Sequence, residues 1–365
     1  MGNVLALGFF NVLFFAVFAS VVILAFRKHS RARQALSRME EEQPSSDVYT
    51  HYRETLGDRQ TPQALKGALA DLEQERKALY DRNKMLAKAG GLTVLVVAAL
   101  GVWYLNLEPQ AGFVILMIGG AAIFILCFQK SNKLRVRAKK QLMERLCGDL
   151  GLSYSQGSRT GKIPTYRKLG LLPNFDRSSF SDFIHGKTFA GHPFELVDAE
   201  LKRRNKSSKK SNNYTTVFSG LLIHVASDSA IEEQVLVKKR RGVKALNPFQ
   251  SEQKVVLESD DFTDIYDVYA SDQVAARRLL TPAIMEKCVE LDAKTGGTPQ
   301  IGFVGGDVYL AIDRGMRSFE VPGISQPWTE DIFERAFSEL TFAIEAAGVF
   351  DHELQPASRD EQASV

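Results

Sequence analysis

The sequence predicts an α+β protein, with three transmembrane helices plus a cytoplasmic domain that has a mainly antiparallel sheet and flanking helices. Three apolar stretches, at 4–26, 92–107 and 112–128, come near the length of about 17–25 residues that spans a bilayer. Lys- and Arg-rich segments follow the first and third stretches. Beyond residue 150, strand-type segments come first and helices late, without strand–helix–strand alternation, which is typical of an antiparallel sheet.

The basic residues also predict how the chain crosses the membrane. No charged side chain precedes the first stretch, whereas Arg27, Lys28 and Arg31 follow it. The turn 108–111 has no Lys or Arg, and Lys130 begins another basic segment. The positive-inside rule therefore predicts a multi-pass protein of the inner membrane, with its N-terminus outside and its C-terminus in the cytoplasm. A cleaved signal peptide would instead have a basic start and a shorter apolar core.

These boundaries predict five segments along the chain. They are a first transmembrane helix (1–29), a cytoplasmic linker with an amphipathic helix (30–90), a transmembrane hairpin (91–129), a cytoplasmic α+β domain (130–354) and a disordered tail (355–365). Gly119 and Gly120 are small residues that let the two helix backbones of the hairpin approach closely. The tail is polar throughout, which is typical of a disordered segment.

A heptad pattern precedes the hairpin. After the helix-start signal Thr61-Pro62, leucine recurs every seven residues at four positions: Leu65, Leu72, Leu79 and Leu86. Arg76 and Asn83 occupy the other positions of the seam. Such a seam is typical of a coiled coil, which leaves self-association open. Because Arg76 suits a closed seam poorly, we favour a single amphipathic helix that packs on the soluble domain or on the basic helix 134–146.

The soluble domain has several strand signals and two clear helix signals. Gly305-Gly306 between two apolar runs predicts a hairpin, because a two-residue turn needs positive φ. Thr281-Pro282 and Thr329 predict the starts of two helices, ending near 293 and 347. The predicted strands lie at 214–226, 254–257, 300–304 and 307–313. The pattern predicts a strand or a hairpin at 186–196, and a strand or an irregular segment at 262–269.

Three groups of short motifs resemble a known family. They are LLP at 171–173 with DR at 176–177, Asp182, GK at 186–187 and FE at 194–195, then FSGL at 218–221, then VYASDQVAAR at 268–277 with LTP at 280–282. In this order they resemble the bacterial membrane-anchored family known as domain of unknown function 3137, over roughly 140–345. The resemblance implies transmembrane helices and a cytoplasmic domain, and it brings no established chemistry. Taken singly, Gly220 predicts a turn or bulge and Asp272 a helix N-cap.

Few residues point to a reaction. The segment 157–162 resembles a phosphate-binding loop, but only three residues separate its glycines and isoleucine follows its lysine. The serine-hydrolase elbow and the dinucleotide fingerprint are absent from the sequence, and we predict no cofactor. A group of histidines and carboxylates around Asp182 and His185 could bind a divalent metal. It leaves a membrane-tethered enzyme as the alternative function.

Two cationic runs are the candidate binding residues. Both separate apolar strand candidates, so we interpret them as hairpin loops that are either simply solvated or in contact with the anionic inner leaflet. Each basic residue near the surface of that leaflet contributes about 1 kcal/mol of attraction to the anionic lipid. Their members are Lys202, Arg203, Arg204, Lys238, Lys239, Arg240 and Arg241.

Composition limits the partners. The net charge is only +3, and aromatic stacking residues are scarce among the cations, so we expect no nucleic acid. The three cysteines, Cys127, Cys147 and Cys288, form no C-x-x-C pair, which fits a reducing cytoplasm and argues against a thiolate metal site. We therefore predict an inner-membrane protein whose cytoplasmic domain is a non-enzymatic module that binds a protein or a lipid surface. Membrane lipid, another membrane or cytoplasmic protein, and a second copy of the chain are the partners considered.

Overall fold

The computed structural model describes most of the chain beyond residue 60. The described residues are 61–104, 108–157, 160–188, 191–205, 213–226, 234–240, 253–295 and 298–348. They all belong to one compact unit, Leu56–Val365. The predicted first transmembrane helix, the linker before residue 61 and the predicted tail lie outside the described residues.

Two long helices pack side by side in opposite directions. Helix α1 is Thr61–Tyr104 and helix α2 is Pro109–Asp149. Within the described ranges, these are the two helices that are long and apolar enough to cross a membrane. Their apolar side chains are largely exposed, with Trp103 at 80% at the far end of α1, which is how lipid-facing residues would be placed. The predicted basic helix 134–146 is therefore not a separate element but the continuation of α2.

Glycines allow close packing in this helical hairpin. A Cβ atom added to Gly119 would lie 2.7 Å from Val94, and one added to Gly112 would lie 2.7 Å from Val102. The predicted close approach of the backbones therefore involves Gly119. Gly120 has open space around it instead.

The polar residues of the heptad seam bond within the chain. The Arg76 guanidinium is buried, donates a hydrogen bond to the carbonyl of Ile324 and pairs with Glu73 at 2.6 Å. The Asn83 Nδ2 donates to the Ser131 Oγ of α2 at 3.1 Å. These contacts hold α1 on α2 and on the sheet-containing domain, which is the intramolecular alternative of the two that the sequence left open.

The heptad leucines give a first testable prediction. Leu72 lines a cavity of about 490 Å³ together with Trp328 and Ile332 of the sheet-containing domain. We expect Leu72→Ala to lower the free energy of unfolding by roughly 2 kcal/mol, the lower end for a core leucine, because the side chain is only half-buried. Urea unfolding of the full chain in mild detergent would measure this loss. Gln74→Ala, at an exposed position of the same helix, is the control. A drop in oligomer mass at unchanged stability would support self-association instead.

The sheet-containing domain is built on one large sheet in which every described pairing is antiparallel. The described strands form the order β1-β2-β3-β4-β9-β8-β5-β7-β6. Their bounds are β1 Ser153–Gln156, β2 Arg177–Lys187, β3 Pro193–Arg204, β4 Tyr214–Val225, β5 Val235–Lys239, β6 Gln253–Val255, β7 Tyr266–Ala270, β8 Thr298–Val304 and β9 Asp307–Asp313. The remaining helices are α3 Ile163–Lys168, α4 Asp260–Ile265, α5 Gln273–Leu279, α6 Pro282–Thr295 and α7 Glu330–Gly348. The antiparallel sheet of the predicted α+β class is therefore present.

Several local predictions are confirmed. Gly305 and Gly306 have φ values of 58° and 82° and form the turn between β8 and β9. The Asp272 carboxylate accepts a hydrogen bond from the Val274 N–H at 2.7 Å and caps α5. The Thr281 hydroxyl accepts from the Ile284 N–H at 3.3 Å and caps α6.

Other local predictions are wrong. The segment 262–269, for which a strand or an irregular segment was predicted, is the end of α4 followed by β7, because Ser259 caps a short helix by accepting from the Phe262 N–H. The segment 234–240 contains β5, which the sequence did not indicate. Residues 202–204 end β3, and residues 238 and 239 end β5. Five of the seven basic residues that we assigned to loops therefore lie at the ends of strands, whereas Arg240 follows β5 and Arg241 lies outside the described residues.

Both faces of the sheet are covered, so the strands have few exposed positions. One face packs on α3 and on the segment that contains Leu169 and Leu171. The other face packs on α2 and α7, which reach β1 and β4. Gly220 is required in β4 because an added Cβ would lie 2.1 Å from the Ile312 carbonyl oxygen. The predicted glycine signal therefore reflects close backbone approach and not a turn.

Candidate functional site

The β3–β4 hairpin projects beyond β9. The last pair between β4 and β9 is Gly220–Asp313, and the Ser219 carbonyl still accepts from the Arg314 N–H, so among the described strands residues 214–218 of β4 pair with β3 alone. Five strand residues correspond to about 17 Å. At the side of this projection the Arg177 guanidinium lies 4.0 Å from the centroid of the Tyr214 ring. This cation–π contact stabilises the hairpin near its tip.

Two arginines near the hairpin tip are available to a partner. Arg203 and Arg204 are exposed, and within the described part of the chain neither guanidinium pairs with an acidic side chain. The backbone N–H of Arg204 donates to the Asp176 carboxylate at 2.6 Å, which fixes the strand end. Lys202 differs, because its ammonium group pairs with Glu200 at 2.8 Å.

The second cationic run is mostly neutralised. Lys239 pairs with Asp292 at 2.6 Å, and Arg240 lies 3.5 Å from Asp267. Lys238 is half-buried in β5, and Arg241 lies outside the described residues. By the strand pairing, this run is at the same end of the sheet as the hairpin tip. Four strand steps separate the two runs, and the sheet twist rotates them by roughly 80–100°. The hairpin arginines are therefore the better candidates.

A buried ion pair joins α2 to the sheet. The Lys139 ammonium lies 2.7 Å from the Asp182 carboxylate, and both side chains are buried. The Tyr154 hydroxyl donates to the other Asp182 oxygen at 2.7 Å. Burial, with the charge of Asp182, raises the pKa of the Tyr154 hydroxyl, so it stays a donor at neutral pH. Glu320 adds a second carboxylate at 3.0 Å from the Lys139 ammonium.

This arrangement separates the two residues of the alternative enzyme site. Asp182 and His185 lie on opposite faces of β2, with Asp182 buried against α2 and His185 exposed. The three-residue spacing brings side chains together on a helix but not on a strand. Among the described residues, no group of three or more His, Cys, Asp or Glu side chains is placed to hold a metal ion.

The ion pair also fixes how the sheet is placed along α2. The Leu152 side chain, just after α2, packs directly on Gly186 and leaves no room for a Cβ there. Lys139 contacts Asp182, and these two residues precede Leu152 and Gly186 in the chain. Strand β2 therefore runs beside α2 in the same direction. The start of β2 at Arg177, and the β3–β4 hairpin paired with it, lie towards the apolar half of α2.

A second polar cluster lies on the opposite face of the sheet. The His224 Nε2 is 2.8 Å from Asp307, and the Tyr309 hydroxyl donates to the same carboxylate at 3.4 Å. Lys162, from the loop that resembles a phosphate-binding loop, is 3.9 Å from Asp307. The sequence did not indicate this cluster, because its members come from three separate segments. It gives Lys162 a carboxylate partner.

The irregular segment 314–328, which we call the strap, contacts the sheet and both long helices. No pattern in the sequence indicated these contacts. The Ser318 N–H donates to the Asp198 carboxylate of β3 at 3.0 Å, and the Arg135 guanidinium of α2 donates to the carbonyl of Val321 at 2.8 Å. The Trp328 N–H donates to the Glu73 carboxylate of α1 at 2.8 Å. The strap therefore joins both long helices to the sheet.

Comparisons with known proteins assign part of the chain. Residues 216–351 match the family model described as "Protein of unknown function (DUF3137)". Residues 216–351 belong to the DUF3137 family. The resemblance predicted from the sequence is thus confirmed, with two of its three motif groups inside the match and the group at 171–195 outside it. The DUF3137 segment contains β5–β9, nearly all of β4, the strap and α7.

Other comparisons add little. The crystal structure of the mycobacterial trehalose monomycolate transport factor A, TtfA, aligns with a TM-score of 0.31 at 11% sequence identity. The alignment covers 61% of this chain and 99% of that chain. A TM-score this low does not relate the two proteins in function. No curated protein matches the sequence.

Proposed function

We propose that this DUF3137 protein is a three-span inner-membrane protein whose cytoplasmic domain binds the anionic inner leaflet through the tip of its β3–β4 hairpin, without catalysing a reaction. The observation that carries the proposal is the direction of the hairpin, which extends along α2 towards its apolar half and presents Arg203 and Arg204. The predicted helix at 4–26 is the third span. The charge flanks of all three stretches support a cytoplasmic location for the domain.

Simple lengths support a hairpin close to the lipid. From Lys139 back to Phe128, where the apolar stretch ends, α2 rises by about 16 Å. From Asp182 back to Arg177, β2 extends by about 17 Å in the same direction. Because the two elements meet at Lys139 and Asp182, Arg177 lies at about the height at which α2 enters the membrane. The hairpin tip extends at least that far.

The energetics agree with a weak, orienting contact. Each basic residue near an anionic leaflet contributes about 1 kcal/mol, and the attraction falls off within a Debye length of about 8 Å at physiological salt. Two exposed arginines cannot anchor a soluble protein by themselves. On a domain already tethered by α1 and α2 they would suffice to set its orientation, because the tether supplies a high local concentration.

The test uses the full chain in lipid nanodiscs with a fluorophore on a single introduced cysteine, in a Cys127→Ala background. Asn213→Cys places the dye near the hairpin tip, and Lys187→Cys places it at the far end of β2, both at exposed positions. A quencher attached to lipid headgroups should reduce the Asn213 signal strongly and the Lys187 signal little. Equal quenching at the two positions would contradict the proposed orientation.

Lipid charge is tested with the same labelled protein. We expect Asn213 quenching to be stronger in nanodiscs with anionic lipid than in zwitterionic ones, and to weaken in high salt. Arg203→Ser with Arg204→Ser should remove that difference, since both changes are on the hairpin. The matched control changes two other exposed arginines, Arg277→Ser with Arg278→Ser on α5. A lipid-charge effect that survives the first pair of changes would exclude the hairpin as the lipid-binding element.

A further inference from the structure

The strap contacts four parts of the molecule through charged side chains. Glu320 of the strap pairs with Lys139 of α2, and the Phe319 N–H donates to the Glu339 carboxylate of α7 at 2.5 Å. Glu339 also lies 3.5 Å from the Arg314 guanidinium at the start of the strap. Loss of the strap contacts would therefore remove the links that it makes between α1, the sheet and α7, while Lys139 and Asp182 still join α2 to the sheet.

The centre of the strap is held in an unfavourable backbone conformation. Phe319 is the one residue other than glycine with positive φ in the described chain, at 58°, and its side chain is 2% exposed. A bulky residue in the left-handed region persists only where the surroundings impose it. Here the surroundings are the carboxylates on either side, which accept the N–H groups of Ser318 and Phe319.

Two carboxylates of β3 join the strap to the sheet: Glu200, which lies 3.4 Å from the Arg317 guanidinium, and Asp198. One Asp198 oxygen accepts from the Ser318 N–H at 3.0 Å and the other from the Ser181 hydroxyl at 2.5 Å. Its side chain is fully buried and has no ion-pair partner of its own among the described residues, since Lys139 pairs with Asp182 and Glu320. A buried carboxylate without a direct cation is costly to ionise.

We propose that the strap is a proton-tightened clasp, which closes firmly on the sheet when Asp198 carries a proton and opens more readily when Asp198 is ionised. Protonation removes the buried charge and leaves one oxygen to accept from the Ser318 N–H. The hydroxyl of the protonated acid can then donate to the Ser181 oxygen, so both hydrogen bonds persist. Opening exposes Asp198 to water, where the ionised form is favoured.

The direction of the pH effect follows from linkage. Burial raises the pKa of Asp198 from 3.8 to about 6, against the opposing hydrogen bonds from Ser181 and Ser318, with the nearby Asp182 charge also raising it and Lys139 lowering it. Because the pKa of Asp198 is higher in the closed strap than in the open one, lowering the pH shifts the equilibrium towards the closed strap. The shift takes place between the two pKa values, from pH about 6 down to about 4. Two pKa units correspond to a change of up to about 100-fold in the opening equilibrium.

Two other carboxylates accept from backbone N–H groups of the strap, and their pKa values shift in opposite directions. The hydrogen bond from Arg76 lowers the pKa of Glu73, which accepts from the Trp328 N–H, so acidification weakens the strap at its α1 contact. Burial raises the pKa of Glu339, opposed by Arg314, the Phe319 N–H, Arg335 and Lys139. Acidification therefore favours the closed strap at its α7 contact. At its contacts with β3 and α7 the strap is consequently opened most easily at neutral pH, where Asp198 is ionised.

Hydrogen exchange on the full chain in detergent micelles tests this proposal. The measured quantity is the protection factor of the Ser318 and Phe319 amides, corrected for the intrinsic pH dependence of exchange. We expect protection to rise by ten- to about 100-fold between pH 7.5 and pH 4.5. Unchanged or falling protection would overturn the proposal.

Variants assign the effect to Asp198. Asp198→Asn keeps an acceptor for Ser318 and a donor for Ser181 but cannot ionise, so protection should be high at pH 7.5 and nearly independent of pH. Glu195→Gln, the same change on the other face of β3, should keep the wild-type pH dependence. Ser181→Ala removes a donor that favours the ionised acid, so the midpoint should move to higher pH. Wild-type pH dependence in either Asp198→Asn or Ser181→Ala would contradict the assignment.

Discussion

Replacing Lys139 by methionine is expected to lower the free energy of unfolding by about 3–5 kcal/mol at neutral pH. Methionine keeps the apolar stem of the side chain but removes the ammonium that pairs with the fully buried Asp182. Removing one partner of a buried pair leaves the other charge unpaired, which costs more than the pair contributes. The measurement is chemical unfolding of the full chain in mild detergent, followed by near-ultraviolet circular dichroism.

Two comparisons separate this effect from a general loss of packing. Lys140→Met changes the next residue on α2, whose side chain is 54% exposed and pairs only with the nearby Glu144, and should alter stability by less than about 0.5 kcal/mol. Adding Asp182→Asn to Lys139→Met removes the orphaned charge and keeps an acceptor for Tyr154. The double variant should be more stable than Lys139→Met alone. A double variant that is weaker by the sum of both single losses would show that the pair is not coupled.

Gly220→Ala is expected to be the most damaging single-atom addition to the sheet. The new Cβ would lie 2.1 Å from the Ile312 carbonyl oxygen and 2.9 Å from the Arg314 nitrogen, both backbone atoms that cannot rotate away. Strands β4 and β9 would have to separate where the strap begins. We expect a loss of at least the 1–3 kcal/mol that is typical of overpacking, and a lower yield of folded protein.

The control for this change is another glycine of the same domain. Gly161→Ala meets no atom within 4 Å, so its effect on the free energy of unfolding should stay within about 0.5 kcal/mol. Both variants are compared by urea unfolding and by resistance to limited proteolysis. Equal stability of Gly220→Ala and the wild type would show that β4 and β9 approach less closely than described.

The local predictions that succeeded all rest on short-range chemistry. Asp272 and Thr281 were recognised as caps because a side-chain oxygen next to a helix start satisfies a free N–H of the first turn. The Gly305-Gly306 turn was recognised because positive φ favours glycine. The failures occurred where neighbours in the fold decided the outcome. Strand β5 is buried between β8 and β7, and that environment is not visible in a five-residue window.

The candidate site divides in the same way. The sequence indicated that Arg203 and Arg204 carry charge near a tethered membrane domain, and the structure distinguishes them from Lys239 and Arg240, which have acidic partners. Nothing in the sequence indicated the strap, because its contacts join residues far apart in the chain and no repeat or spacing marks them. A possible signal was the charge alternation around Arg314 and Glu320, although this pattern is common on solvated surfaces.

By itself, the sequence determined the membrane-type apolar stretches, the α+β class with its antiparallel sheet and the DUF3137 resemblance, since hydrophobic length, alternation and turn residues are properties of consecutive residues. Only the tertiary structure decided that Asp182 forms an ion pair with Lys139. It also decided that the heptad helix packs within its own chain and that the strap joins both long helices to the sheet. The physical reason is that burial and pairing of charges depend on which distant segments meet. That outcome is set by the packing of the whole domain and not by any local pattern.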